Sequence, residues 1–181
     1  MNVTFPDAYN NYNNKIIEKI NIKKSEELIK LISGVFSLDS FYLNEKNDVI
    51  FMISQSMRDD NTFEQLLINH LINKYPTKKI YIKSHPTQLK IYRDFIEKIK
   101  IQNSNEVTII DDRVPAEFFL MQLSNSVVVS TISTSMFLEN EDCRYYYTFD
   151  MAKPYIPRFN QYDTMNPTAH VKSVTSFEDI I

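Results

Sequence analysis

Glycine is almost missing from this sequence, Gly34 being the only one in 181 residues. Dinucleotide fingerprints and phosphate-binding P-loops need several glycines, because backbone amides must approach the phosphates closely there. Neither way of gripping a nucleotide is open to this chain. Cysteine is as scarce. Cys143 stands alone, which excludes an internal disulfide and a multi-cysteine zinc site and hints at a reducing compartment. A basic excess is also lacking. The formal charge of −3 argues against a general nucleic-acid binder, so no nucleic-acid partner is expected. No apolar run approaches the roughly 20 residues of a spanning helix, and residues 1–7 lack the basic-then-apolar order of a secretion signal. The expectation is a soluble, cytoplasmic protein.

What the chain does have is core material. Its residues are 43% hydrophobic and 13% aromatic, enough for one domain or slightly more. Residues 1–47 read as a polar connector followed by a helix, in which Ser25 precedes Leu28, Leu31, Ile32 and Val35 at helical spacing. Residues 48–181 read as one α/β domain. Apolar runs at 49–53, 79–82, 107–110 and 127–129 predict buried strands, and 145–149 predicts a fifth. Between them lie helical patterns through Phe63, Leu66, Leu67 and Leu71, through Leu89, Tyr92, Ile96 and Ile99, and through Phe118, Phe119 and Leu123 after Pro115. Strand–helix alternation of this kind implies a Rossmann-like parallel sheet with helices on both faces.

Such sheets bind ligands beyond the carboxyl ends of their strands. In this sequence those ends are all polar: Ser54-Gln55-Ser56, Lys83-Ser84-His85-Pro86, Asp111-Asp112 with Glu117 just after, and Ser130-Thr131-Ile132-Ser133-Thr134-Ser135. His85 follows a buried strand and is held extended by Pro86. Its imidazole can donate to an anion, with the Lys83 charge nearby, or it can merely satisfy a helix end. The hydroxyls of residues 130–135, at a strand-to-helix turn, can hold a phosphate without glycine, and the same residues suit helix capping. Glu117 sits in a first helical turn, where the dipole favours it, and a carboxylate there can accept from ribose hydroxyls. Asp111 and Asp112 read as a solvated pair. His70 lies among leucines and reads as a core or surface histidine, and His170 has no motif around it.

Three segments taken together, in order and spacing, resemble the C-terminal half of bacterial sialyltransferases of the two-domain GT-B architecture. They are Tyr81-Ile82-Lys83-Ser84-His85-Pro86, Val114-Pro115-Ala116-Glu117-Phe118-Phe119-Leu120, and Val128-Val129-Ser130-Thr131-Ile132-Ser133-Thr134-Ser135. That group includes lipooligosaccharide sialyltransferases and polysialyltransferases, which build cell-surface glycans such as capsules. The resemblance covers about residues 48–149. It implies a site for the donor CMP-sialic acid and inverting transfer to a glycan acceptor, with no metal or other cofactor. His85 would then act catalytically, hydrogen-bonding the phosphate of the departing CMP. Ser133, Thr134 and Ser135 would hold the same phosphate, Glu117 the ribose, and Lys83, Pro86, Ser130, Thr131 and Gln55 would complete the donor site. A phosphate leaving group asks for charge stabilisation more than for protonation.

In that group the general base lies in an N-terminal half, and Asp7, Asp39, Asp59 and Asp60 match no base motif. The expectation is therefore a donor-binding half, catalytically silent alone and completed by an N-terminal half or by self-association. Three rival readings stay open at this point. One is a glycosyltransferase half using another nucleotide sugar. Another is a non-catalytic interaction or regulatory subunit, whose strand-end residues would face a protein. The last is a small hydrolase built on Asp111 and Asp112. Peripheral contact with the inner membrane through residues 153–158, where bases, aromatics and prolines mix, is left open too.

Overall fold

The computed structural model describes residues 2–3, 18–19, 25–38, 42–54, 62–85, 94–95, 98, 107–110, 113–161 and 168–180. A small parallel pair, β1 (Asn2–Val3) and β2 (Glu18–Lys19), stands apart from the main sheet. The main sheet contains β3 (Ile50–Ile53), β4 (Ile80–Lys83), β5 (Val107–Ile110), β6 (Ser126–Ser130), β7 (Cys143–Tyr147) and β8 (Val171–Ser173). Its order is β5-β4-β3-β6-β7-β8, with every neighbouring pair parallel. Counted from β3, this is the doubly wound order third, second, first, fourth, fifth, sixth. The two halves of the sheet are laid down outward from the centre in opposite directions. The direction reverses between β3 and β6.

The central strands form because they can be buried on both faces. Every residue of β3, β4 and β6 is buried, as their unbroken apolar runs require. The helices are α1 (Glu26–Phe36), α2 (Thr62–Lys74), α3 (Ala116–Leu120) and α4 (Phe149–Ala152), with short 3-10 helices at Thr134–Phe137, Pro157–Gln161 and Phe177–Asp179. Side chains alternate along each strand, so β3 separates two core layers. Phe51 stacks on Phe119 of α3 at 6.2 Å and meets Tyr81 of β4 at 6.4 Å. On the opposite face Ser54, just past β3, reaches Glu64 of α2. Phe63 of α2 stacks on Phe177 at 6.0 Å, which fastens the end of the domain beneath α2.

Asn140 ties the end of α3 to the rest. Its buried amide donates to Leu120 O at 2.8 Å and to Leu123 O at 2.9 Å, and its Oδ1 accepts from Asp142 N at 3.2 Å. Asn140→Leu removes the buried amide that bridges those two carbonyls. It is expected to destabilise the fold by about 1–3 kcal/mol in urea titration; a loss within the scatter of surface substitutions would show that the carbonyls find other donors.

Several sequence expectations shift. The fifth strand runs over Cys143–Tyr147 rather than 145–149, because Phe149 already opens α4 and stacks on Phe159 at 4.8 Å. Pro115 takes the N-cap of α3 instead of its first turn. The sixth strand, β8, carries no apolar run, since only Val171 is buried and Lys172 and Ser173 face solvent at the edge of the sheet. Of the helix expected around 89–99, Asp94, Phe95 and Lys98 are helical, while Leu89, Tyr92, Ile96 and Ile99 lie outside the described residues. The helix α1 agrees with its pattern: Ser25 Oγ accepts from Leu28 N at 3.0 Å, and Ser37 ends it in the left-handed conformation at φ 53°. Gly34 lies inside this helix and serves no turn. Among the described residues no helix is long and apolar enough to cross a membrane.

Candidate functional site

A doubly wound sheet leaves a crevice at its carboxyl edge where the strand order reverses. In this sheet that place is the top of β3 and β6, and β4 flanks β3 on the other side. Register brings Lys83 of β4, Ile53 of β3 and Ser130 of β6 to one level. Neighbouring strands lie about 4.8 Å apart, so the polar ends of β4 and β6 are separated by about 10 Å, the span of a small phosphorylated ligand.

On the α3 face Lys83 is buried and its Nζ points back to Ser84 O at 3.5 Å. The backbone stays extended past β4, since Ser84 N donates to Ile110 O at 3.0 Å. Strand alternation therefore carries His85 to the same side as Lys83. Burial first, and then the Lys83 charge, holds the imidazole below its ordinary range. His85 is thus a neutral N–H donor at neutral pH. Glu117, half-buried, occupies the first turn of α3, which begins shortly after β5 at the same edge of the sheet. Tyr147, at the end of β7, is pushed up to about 12 by burial and then by Asp150, so its phenol keeps its proton.

The opposite face carries a feature that sequence patterning did not isolate. Four adjacent strands each place a hydroxyl one residue past their ends: Ser84 after β4, Ser54 after β3, Thr131 after β6 and Thr148 after β7. All four are buried. The ladder continues through them, with Ser54 N donating to Lys83 O and Thr148 N to Ser130 O, both at 3.0 Å. Ser54 Oγ donates to the buried Glu64 carboxylate at 3.3 Å, and the Thr131 and Thr148 hydroxyls meet at 3.1 Å. Ser84 Oγ has no hydrogen-bond partner among the described residues. A polar layer thus closes the apolar interior beneath the crevice.

The Ser130–Ser135 run divides its hydroxyls between two tasks. Ser130 Oγ donates to Ile53 O at 3.0 Å, locking β6 to β3, and Thr131 belongs to the buried layer. Ser133 caps the Thr134–Phe137 turn by accepting from Ser135 N at 3.2 Å. Thr134 is exposed and Ser135 buried. The segment that follows is one short 3-10 helix and not an α-helix. Any grip on an anion therefore falls to hydroxyls and loop amides and not to the field of a long helix.

Gln55 and Pro86, expected in the same site, lie outside the described residues, as do Asp111 and Asp112. Among the described residues no group of three or more His, Cys, Asp and Glu side chains comes together as a metal site. His70 sits on α2, stacked at 5.0 Å on the Phe177 ring. Glu64 and Thr148 escaped the sequence reading, which finds no motif around His170. Glu64 occupies an ordinary helical position, and its role depends on which strand end lies above it. The hydroxyl layer follows the strand ends that the structure defines, Lys83, Ile53, Ser130 and Tyr147, and of the apolar runs only 49–53 stops directly before one of its members, Ser54; nothing local marks His170.

Both His70 and His85 are held below the ordinary 6.5, by burial first and then by Lys74 and Lys83 respectively. The unfolded chain therefore binds these protons more readily than the folded one. Stability is complete above 6.5 and is lost as pH falls from there towards the lowered folded values. Thermal melts between about pH 8 and about pH 5 are expected to show a midpoint that drops on the acid side, and a His70→Phe variant should flatten that slope. A midpoint that rises on acidification would reverse the assignment.

A family profile described as alpha-2,8-polysialyltransferase (POLYST) matches residues 1–141. The match takes in β3 to β6 and the motifs at their carboxyl ends. A comparison with curated proteins finds no match.

Proposed function

Because the chain belongs to the alpha-2,8-polysialyltransferase family, we propose that its doubly wound sheet is the donor-binding layer of an inverting sialyltransferase that takes CMP-sialic acid. A family of this kind uses a nucleotide-sugar donor and a glycan acceptor. The observation that carries the donor assignment is the arrangement at the switch point. Lys83 ends β4 with His85 two residues on, the Ser/Thr run starts at the last residue of β6, and β3 lies between the two strands.

In this reading the CMP phosphate spans the top of β3. The bond from the sialic acid anomeric carbon to the phosphate oxygen breaks, and its electron pair stays on the phosphate. The acceptor oxygen forms the new bond from the opposite face and gives its proton to a base. His85, neutral, donates an N–H to the developing charge, and Lys83 adds a buried positive charge behind it. The Thr134 and Ser135 hydroxyls hold the remaining phosphate oxygens, and Glu117 accepts from the ribose. In the GT-B form of the proposal, the base comes from a second sheet domain facing this one.

Calorimetric titration of the chain with CMP, with UDP as control, tests the donor class. Selective CMP binding is the expected result, and Glu117→Gln should weaken it by about tenfold, the effect of losing a charged hydrogen-bond acceptor. Selective UDP binding would keep the site and change the donor. Binding of neither nucleotide would speak for a scaffold whose strand-end residues face a protein.

A further inference from the structure

We propose that His170 is a positioning residue for the donor phosphate, acting through the Thr134–Phe137 turn; this rests on the donor-site reading above. His170 lies in the tight turn that enters β8, where Val171 N donates to Thr168 O at 2.9 Å. Its Nε2 lies 2.9 Å from Met136 O. A carbonyl only accepts, so Nε2 carries the proton. Its Nδ1 lies 3.0 Å from Thr168 Oγ1, a hydroxyl that can serve as either donor or acceptor. The ring stands edge-on to Tyr145 of β7 at 5.1 Å and 83°. The ring is thus held at both nitrogens and along one edge.

What the imidazole holds is the middle of the Ser/Thr run. Met136 follows Ser135 directly, its N–H donates to Ser133 O at 3.2 Å, and its own side chain is buried. The turn is only four residues long, so its carbonyls have few partners inside it. The His170 bond supplies one from the far edge of the sheet, 34 residues away in sequence. It joins the β7–β8 edge to the segment that presents Thr134 and Ser135. His170 touches no phosphate itself. It fixes where those hydroxyls stand.

The test compares CMP binding by the full chain with that of His170→Phe and His170→Gln. The phenyl ring keeps the packing on Tyr145 and removes the donor. The glutamine amide restores a donor to Met136 O. Phe should weaken CMP binding by about tenfold, and Gln should recover most of it, at similar melting temperatures. Parent-like affinity in His170→Phe, or equal losses in the two variants, would overturn the positioning role while leaving the donor site standing. If the unmodified chain bound no CMP, the donor-site reading would fall first and take this proposal with it. A second readout separates positioning from general weakening. Thr134→Ala should cost affinity in the parent but little more in His170→Phe, because the hydroxyl is already misplaced there. Full additivity would count against the proposal.

Discussion

His85→Ala is expected to lower the turnover of sialyl transfer by about 10²–10³-fold, the usual cost of removing one preorganised donor from a developing negative charge. The expectation follows from the position of the residue. It stands one residue past the extended ladder of β4, on the same face as the buried Lys83, and burial keeps it neutral. A neutral imidazole cannot offer a full charge, so its contribution lies in a directed N–H. The measurement is transfer from CMP-sialic acid to an oligosaccharide acceptor by the transferase in its active assembly, with the melting temperature as the fold control. His85→Asn keeps a donor of similar reach and should retain part of the rate, whereas His85→Phe should not. Unchanged turnover in His85→Ala would remove His85 from the chemistry and leave it the role of satisfying a helix end.

The second large effect concerns the fold. Phe119→Ala is expected to cost about 3–5 kcal/mol, against a total stability of about 5–15 kcal/mol for a domain. Phe119 is fully buried, stacks on Phe51 of the central strand at 6.2 Å and meets Phe118 edge-on at 5.7 Å. Phe118 in turn meets Tyr42 at 5.7 Å and Phe51 meets Tyr81, so one ring deletion disturbs a chain of five aromatic rings. With only five residues, α3 has little stability of its own and depends on this packing. Glu117 depends on α3 for its place, so the same variant should also blunt CMP binding. Phe119→Leu, which leaves a smaller void, should cost less. A urea midpoint in Phe119→Ala close to that of the parent would show that the layer refills.

Much of this was legible in the residues. Strands such as β3 and β6 announce themselves because a short apolar run bounded by polar residues suits a strand covered on both faces. The polar residues at their ends then mark the candidate edge. Strand order was not legible, since nothing local in residues 127–129 says that they pair with 50–52. β8 was missed for a related reason: at the edge of the sheet only Val171 needs to be apolar. The site shows the same division. His85, Glu117 and the Ser/Thr run belong to short motifs that can be read along the chain. Glu64 and His170 work through partners brought to them by the sheet, Ser54 and Met136 respectively, and their neighbours in sequence are silent on that.

The reversal of strand order between β3 and β6 has a consequence in time. Ile53 and Ser130 are bonded across 77 residues, while β3 meets its other neighbour, β4, much sooner along the chain. As the polypeptide is synthesised, the central strand therefore acquires one partner and waits for the other. At about 5–20 residues per second, the 77 residues from Ile53 to Ser130 take roughly 4–15 seconds to make. Throughout the wait the strand Ile-Phe-Met-Ile keeps an unpaired, apolar edge. Crowding of nascent chains, growth temperature and chaperone supply should therefore govern the yield of this protein more strongly than its final stability does.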